Sequence, residues 1–279
     1  MKLKKWAALA ATGALAASLA LFGCSSGSND AKGDAKDKAE EPATASYTLV
    51  QDGTLTIATS PDYPPFENLE GDKAVGLDID IAQAIADDLG LTLEVKPLQF
   101  DGILTAIAAG GQADLGISGF TVDPERAKTV DFSETYYIDD LAVAAMKGGT
   151  VNKDNAAEEL NKENVVIMVQ SGTSGASYCK ENFPNATIKE FGNSVDAFAA
   201  MQAGQDGADC YVCTNYAVVK KMLANAYSDA EIVLPIATGE EYAIAVSKDN
   251  PELLKAVNAS IEKLKQDGTI DELTNKWLG

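Results

Sequence analysis

From Leu55 to the C-terminus, short apolar runs alternate with amphipathic stretches. Leu55 and Ile57 alternate with threonines, the period of a strand. Ile81, Ile85 and Leu89 recur every four residues with Gly90 behind them, which marks one face of a helix and its C-terminal glycine. Thr92–Lys96 predicts a second strand, Phe100–Ala109 a helix stopped by Gly110-Gly111, and Asp114–Ile117 a third strand. Leu141–Met146, Val165–Val169, Thr187–Phe191, Cys210–Val212 and Tyr242–Val246 predict further strands. Helices are expected from about Ala176 and over Ser194–Ala203, Tyr216–Ala224 and Pro251–Gln266. Strands alternating with helices predict an α/β fold.

One phrase occurs twice. Ala109-Gly-Gly-Gln-Ala-Asp114 and Ala203-Gly-Gln-Asp-Gly-Ala-Asp209 each end a helix and lead into a strand. This is either a short chance likeness or a sign of two lobes built alike.

The N-terminal 46 residues follow neither pattern. Lys2, Lys4 and Lys5 precede an uncharged run from Trp6 to Phe22, the layout of a secretory signal over residues 1–23. Its Leu21-Phe-Gly-Cys24 ending is similar to a bacterial lipobox, which implies that Cys24 is acylated and becomes the first mature residue. Residues 24–46 contain no large apolar side chain and read as a disordered tether. A tether of that length spans about 25 Å. The protein is therefore expected outside the cytoplasm, lipid-anchored to the membrane, with its folded part starting near Tyr47.

Charge and composition narrow the chemistry. Lys+Arg is 22 and Asp+Glu is 42, a net charge of −20, which argues against a nucleic-acid partner. Histidine is absent. That removes histidine-based triads, His-ligated metals and the usual neutral-pH base. Of the four cysteines, Cys179, Cys210 and Cys213 remain once Cys24 is assigned to lipid. They are either buried thiols or include one disulfide made by Cys179. Cys210 and Cys213 have CxxC spacing but lie in an apparent strand, where positions three apart face opposite sides, and a zinc site would need further ligands. No metal, cofactor or catalytic residue is assigned.

Four clusters follow strand ends, where open α/β sheets place ligands. The first runs from Ser60 through Asp62, Tyr63 and a double proline to Phe66-Glu67, a stiff loop. The second, Ser118-Gly119-Phe120-Thr121 to Arg126, offers free N–H groups and two hydroxyls. Asp123 suits an N-cap and Pro124 a first helical position. Arg126 is the only arginine among the basic residues. Its guanidinium offers the paired donors that match a carboxylate, unless it merely pairs with a surface acid. The third is the glycine-containing turn Gln170-Ser-Gly-Thr173-Ser174-Gly175. The fourth ends a strand with Thr214-Asn215.

Together with Gly76-Leu-Asp78-Ile-Asp80, Val130-Asp-Phe-Ser133, Tyr136-Tyr137, Gly268-Thr-Ile and Lys276-Trp-Leu-Gly279, these phrases run in order from about Leu55 to the end. The chain resembles the family 3 extracellular solute-binding proteins, the amino-acid-binding components of ABC importers. The resemblance implies a monomeric, two-lobed, periplasmic-binding-protein-like fold of type II. Residues 47–136 plus 241–279 would form one lobe and 140–238 the other. Two crossovers would lie near Tyr137–Asp139 and Gly239–Glu240.

It further implies that Arg126 clamps a ligand carboxylate and that Gly119 and Thr121 hold its polar ends. Thr173 and Ser174 would donate from the other lobe, with Tyr63 and Phe100 as pocket aromatics. Ser60, Ser118, Gln170, Thr214 and Asn215 complete the candidate set. An ABC permease and its ATPase are the implied partners.

Relatives often carry Asp where Thr214 stands, to pair the ligand's amino group; Asp62, Glu67, Asp139 and Glu240 are the available substitutes. The expected ligand is a polar amino acid or a related small carboxylate. A dehydratase acting on a cyclohexadienyl acid, or a sensory lipoprotein on the same scaffold, are the alternatives.

Overall fold

The computed structural model describes residues 47–205 and 210–279. The signal peptide, the tether, Cys24 and the second Ala-Asp phrase around Asp209 lie outside the described residues.

In chain order, the first elements are β1 (Thr54–Thr59), β2 (Asp62–Tyr63), β3 (Glu67–Glu70), β4 (Lys73–Val75), α1 (Leu77–Asp88), β5 (Thr92–Pro97), α2 (Phe100–Ala109), β6 (Leu115–Gly116) and β7 (Asp131–Phe132). Then come β8 (Tyr137–Met146), α3 (Ala156–Glu159), β9 (Val166–Gln170), α4 (Ser174–Asn182), β10 (Thr187–Phe191), α5 (Ser194–Gln202), β11 (Cys210–Asn215) and α6 (Tyr216–Asn225). The chain closes with β12 (Ala230–Tyr242), β13 (Ala245–Val246), α7 (Pro251–Gln266) and α8 (Thr269–Leu278).

These strands build two five-stranded sheets. The first has the order β5-β1-β6-β13-β7, with β1 parallel to both neighbours. The second has the order β10-β9-β11-β8-β12, with β9 parallel to β10 and β11. Every residue of β1 and of β11 is buried, as expected of central strands covered on both faces. The helices supply the cover. Leu77, Ile81 and Ile85 of α1 are buried, as are Leu253, Val257 and Ile261 of α7, each set at helical spacing.

The chain leaves the first sheet after β7 and returns to it at β13. Between them, β8 and β12 pair antiparallel along their length, down to Glu240↔Asp139 and Tyr242↔Tyr137. The two crossing segments are thus the end of a ladder belonging to the second sheet. The ladder is interrupted between Ile236 and Glu240. There the N–H groups of Thr238 and Gly239 donate to Asp140 Oδ1 at 2.9 and 3.0 Å, so one aspartate spans the irregularity.

Three expectations need correction. Tyr242–Val246 is not one strand: β12 ends at Tyr242 and β13 begins at Ala245, because the chain changes sheets between them. Ala243 N–H donates to Phe120 O at 3.0 Å and Ile244 N–H to Ser133 Oγ at 2.9 Å instead of to a ladder. The strand expected over Asp114–Ile117 keeps only Leu115–Gly116, since Asp114 turns its carboxylate to the N–H groups of Val50 and Thr56 at 2.7 and 2.8 Å. The loop after β1 also pairs in part. Asp62 and Tyr63 face Asn68 and Glu67 in a small β2-β3-β4 sheet, around a cis Pro64–Pro65 bond.

Candidate functional site

Strand ends from both sheets converge. Ser60 follows β1 and Ser118–Thr121 follow β6; Gln170 ends β9, Thr173 and Ser174 open α4, and Asn215 ends β11. With Tyr63, Phe100 and Arg126 they line one cavity of about 280 Å³, counting its mouth. Eleven of the twelve candidate residues are therefore brought together. Thr214 is not in the lining; its hydroxyl lies 2.8 Å from Tyr63 Oη. Asp62 and Glu67 join the lining.

Arg126 begins a single 3₁₀ turn, Arg126–Lys128. Asp123 Oδ1 accepts the N–H groups of Glu125 and Arg126 at 2.8 and 3.1 Å, the capping role its sequence position implies. The side chain then folds back. Nη1 donates to Thr121 O and Nη2 to Gly172 O, each at 2.8 Å, so the guanidinium touches both lobes. Phe100 and Phe120 stack on each other, and the guanidinium carbon lies 5.7 and 5.6 Å from their ring centres. These are cation–π distances. Burial pulls the Arg126 pKa down, opposed mainly by Asp123 and Glu240. The group remains a cation across the physiological range.

Side chains also meet directly across the cleft. Tyr63 Oη donates to Asn215 Oδ1 at 2.5 Å, which leaves the Thr214 hydroxyl to donate to the phenol oxygen. Burial raises the Tyr63 pKa, so it stays a neutral donor. Thr121 Oγ1 donates to Glu240 Oε2 and lies 3.4 Å from Ser174 Oγ. Asn215 Nδ2 is buried with no partner, so a donor is available at the β11 end of the cavity.

Several expected contacts are already committed. The Thr173 hydroxyl caps α4, donating to Gln170 O at 2.8 Å and accepting from Ala176 N–H at 3.1 Å. Gln170 Oε1 accepts from Ser194 Oγ at 3.0 Å. Ser118 Oγ donates to Glu67 Oε1 at 2.6 Å, and Gly119 N–H to Asp78 Oδ2 at 2.7 Å. These residues shape the wall more than they reach into it.

Burial pushes Asp62 up to about 6, with Asp196 of α5 adding to the rise and the Ser60 hydroxyl opposing it. Asp139, on the crossing segment, is also raised to about 6 by burial, against the Ala217 N–H that donates to it. Asp78 is the residue the sequence reading missed. It sits in the first turn of α1, where an acid usually faces water, yet it is fully buried. The one signal for it is Gly76, whose φ of +139° lets the chain run against Phe66.

Cys179 and Cys213 belong to one apolar cluster, where their thiols interact, while Cys210 belongs to the cluster on the other face of the second sheet. This is the opposite-face placement expected of the CxxC spacing.

Residues 55–279 match the model of the bacterial extracellular solute-binding proteins, family 3. The chain belongs to this family. Its similarity to the ABC transporter glutamine-binding protein GlnH of Bacillus subtilis (strain 168) is 31% identity over 257 residues, 90% of each chain. Among solved structures, an ancestral arginine-binding protein bound to arginine superposes with a TM-score of 0.75 at 37% identity, over 81% of this chain and 99% of that one. An ancestral amino acid-binding protein described as a precursor of cyclohexadienyl dehydratase gives a TM-score of 0.73 at 36% identity, over 81% and 96%. This solute-binding protein therefore has the two-lobed type II fold, and its relatives are amino-acid-binding proteins of ABC transporters. Its cavity acids, Asp62 of β2 and Glu67 of β3, come from other strands than Thr214, which lies in β11.

Proposed function

We propose that this protein binds an amino acid or a closely related small carboxylate between its lobes, outside the membrane, and delivers it to an ABC permease. Arg126 carries the reading. It is the chain's only guanidinium, it lies against a stacked pair of aromatic rings, and it borders a cavity to which both sheets contribute. A ligand carboxylate matches its two parallel donors. Asp62 supplies the counter-charge for a cationic nitrogen that Thr214 cannot provide, since an ammonium buried without a partner costs several kcal/mol. Asn215 Nδ2 suits an acceptor on the ligand.

Contacts from both lobes make the ligand favour the closed state by hinge motion. The crossing segments Tyr137–Asp139 and Gly239–Glu240 serve as the hinge between a lobe of residues 47–136 plus 241–279 and a lobe of residues 140–238. The protein works as a monomer held by acylated Cys24 on the tether of residues 24–46. Replacing Cys24 with Ser should release it from the membrane fraction.

A thermal-shift screen over the common L-amino acids and small carboxylates, followed by calorimetry, tests the reading. A ligand at 100 times its Kd adds about 2.7 kcal/mol of stability. No shift with any of them overturns it.

A dehydratase reading draws support from Glu67, an acid in the cavity wall whose pKa burial raises far above the carboxylate range. Glu67 is fully buried, however, and its Oε1 is held by the Ser118 hydroxyl, which favours binding without turnover. Product formation from a cyclohexadienyl acid would reverse that preference.

A further inference from the structure

Two acids at the cavity wall, Glu67 of β3 in the lining and Asp78 of α1, are both 0% exposed. The backbone forces them together. A Cβ on Gly76 would sit 2.0 Å from Phe66 O, so only glycine lets α1 start this close to β3. The approach is tied by Leu77 N–H to Pro65 O at 3.1 Å and by Asp78 N–H to Phe66 O at 3.0 Å.

The surroundings hold neutral donors. Ser118 Oγ donates to Glu67 Oε1, Gly119 N–H to Asp78 Oδ2, and Tyr136 Oη to Asp78 Oδ1 at 2.8 Å. The other titratable groups facing the pair are Asp62 and Tyr63 on β2 and Tyr136 before β8. Lysines on the packed elements are engaged elsewhere: Lys263 of α7 with Asp88, Lys276 of α8 with Asp80, and Lys96 of β5 with Gln112 O. Lys73 of β4 and Glu94 of β5 are exposed. Arg126 is balanced by Asp123 and Glu240.

Two carboxylates this close, desolvated and without a cation, cannot both be ionised cheaply, and one proton between them relieves the repulsion. Burial and the neighbouring Asp78 push Glu67 well above the carboxylate range, while Asp78 is raised only to about 6 because Gly119 and Tyr136 donate to it. Asp78 accepts two donors, Gly119 N–H and Tyr136 Oη, whereas Glu67 accepts only the Ser118 hydroxyl, so the proton is placed on Glu67. Its Oε2 atom is buried without a hydrogen-bond partner, which leaves it free to carry that proton.

We propose that Glu67 and Asp78 form a one-proton positioning pair that fixes the Ser118–Thr121 wall of the binding cavity. Glu67 Oε1 holds the Ser118 hydroxyl, Asp78 Oδ2 holds the Gly119 N–H, and the shared proton locks the two carboxyls to each other. The ligand-binding role of that wall rests on the function proposed above; the pair itself is testable without any ligand.

Infrared spectroscopy of the full chain at about pH 8 should show a protonated carboxyl C=O band that Glu67→Gln removes. Hydrogen exchange should be at least about tenfold faster at the amides of residues 118–121 in Glu67→Ala, and unchanged in Glu67→Gln, whose amide can donate to Asp78. No protonated carboxyl band in the wild-type protein overturns the proposal, whatever the variants do. So does equal exchange in wild type and Glu67→Ala. A protein that passes both tests but binds none of the screened ligands would keep the pair and lose the function reading.

Discussion

The Tyr63 hydroxyl donates to Asn215 Oδ1 at 2.5 Å, joining two residues 152 positions apart and on opposite sides of the cleft. Both side chains are buried, so the bond forms only when the lobes are together. Tyr63→Phe removes it and leaves the Thr214 hydroxyl without its acceptor. Losing a buried partner costs about 1–3 kcal/mol, which should weaken binding of any ligand found by the screen about 5- to 150-fold. Calorimetry measures the affinity, and small-angle scattering should show a more open average shape for the variant.

Arg126 offers a sharper contrast. Arg126→Ala removes the charge and both donors, and should abolish binding. Arg126→Lys keeps the charge but loses the planar fork and its contacts with the Phe100 and Phe120 rings, and should weaken binding at least about tenfold. Wild-type affinity for either variant in calorimetry would show that the ligand carboxylate is held elsewhere.

Acidity should stabilise this protein within limits. Asp62, Asp78 and Asp139 are each raised to about 6 and Glu67 further, all chiefly by burial. A carboxyl with a raised folded pKa holds its proton more tightly in the folded chain. Its contribution to stability is therefore full below the unfolded value, about 4, and is lost as pH climbs through the folded value. Asp88, Glu190 and Asp267 shift the other way but lie near the surface, where solvent weakens the effect. The Tm should be higher at about pH 5 than at about pH 8. Asp139→Asn should flatten part of that difference, as read by circular dichroism melting curves.

Gly76 should tolerate no side chain. Its φ of +139° is strained for any other residue, and the Cβ of Gly76→Ala would overlap Phe66 O. A loss of more than about 3 kcal/mol is expected by denaturant unfolding, because the β4–α1 turn must move. Gly53→Ala, also at positive φ but with nothing within 4 Å of the new Cβ, should cost less.

Much of this fold is legible where pattern and burial coincide. Phe100–Ala109, Thr187–Phe191 and Pro251–Gln266 form the elements that their periodicity predicts, over those same residues. The longest strand is not legible. Ala230–Tyr242 contains Pro235 and Gly239 and has no regular alternation of buried and exposed positions. It is a strand because β8 pairs with it across roughly a hundred residues of chain, and a local pattern carries no trace of such a partner.

The site divides the same way. Arg126 is conspicuous by type, and strand ends mark the loops around it. The roles of Thr173 and Gln170 are not conspicuous: hydroxyl and amide groups look available in a sequence, yet here they cap a helix and hold Ser194. Glu67 and Asp78 look like ordinary solvated acids until Gly76 is seen to bring them together.

The interruption in the β8–β12 ladder has a mechanical consequence. Asp140 bridges it by gripping Thr238 and Gly239, and none of these three lines the binding cavity. On the function proposed above, Asp140, Thr238 and Gly239 would brace the crossing segments without touching the ligand. Asp140→Ala should then change how readily the lobes open while leaving the cavity lining in place. Under that reading, the rate of opening and the choice of ligand would be set by different residues.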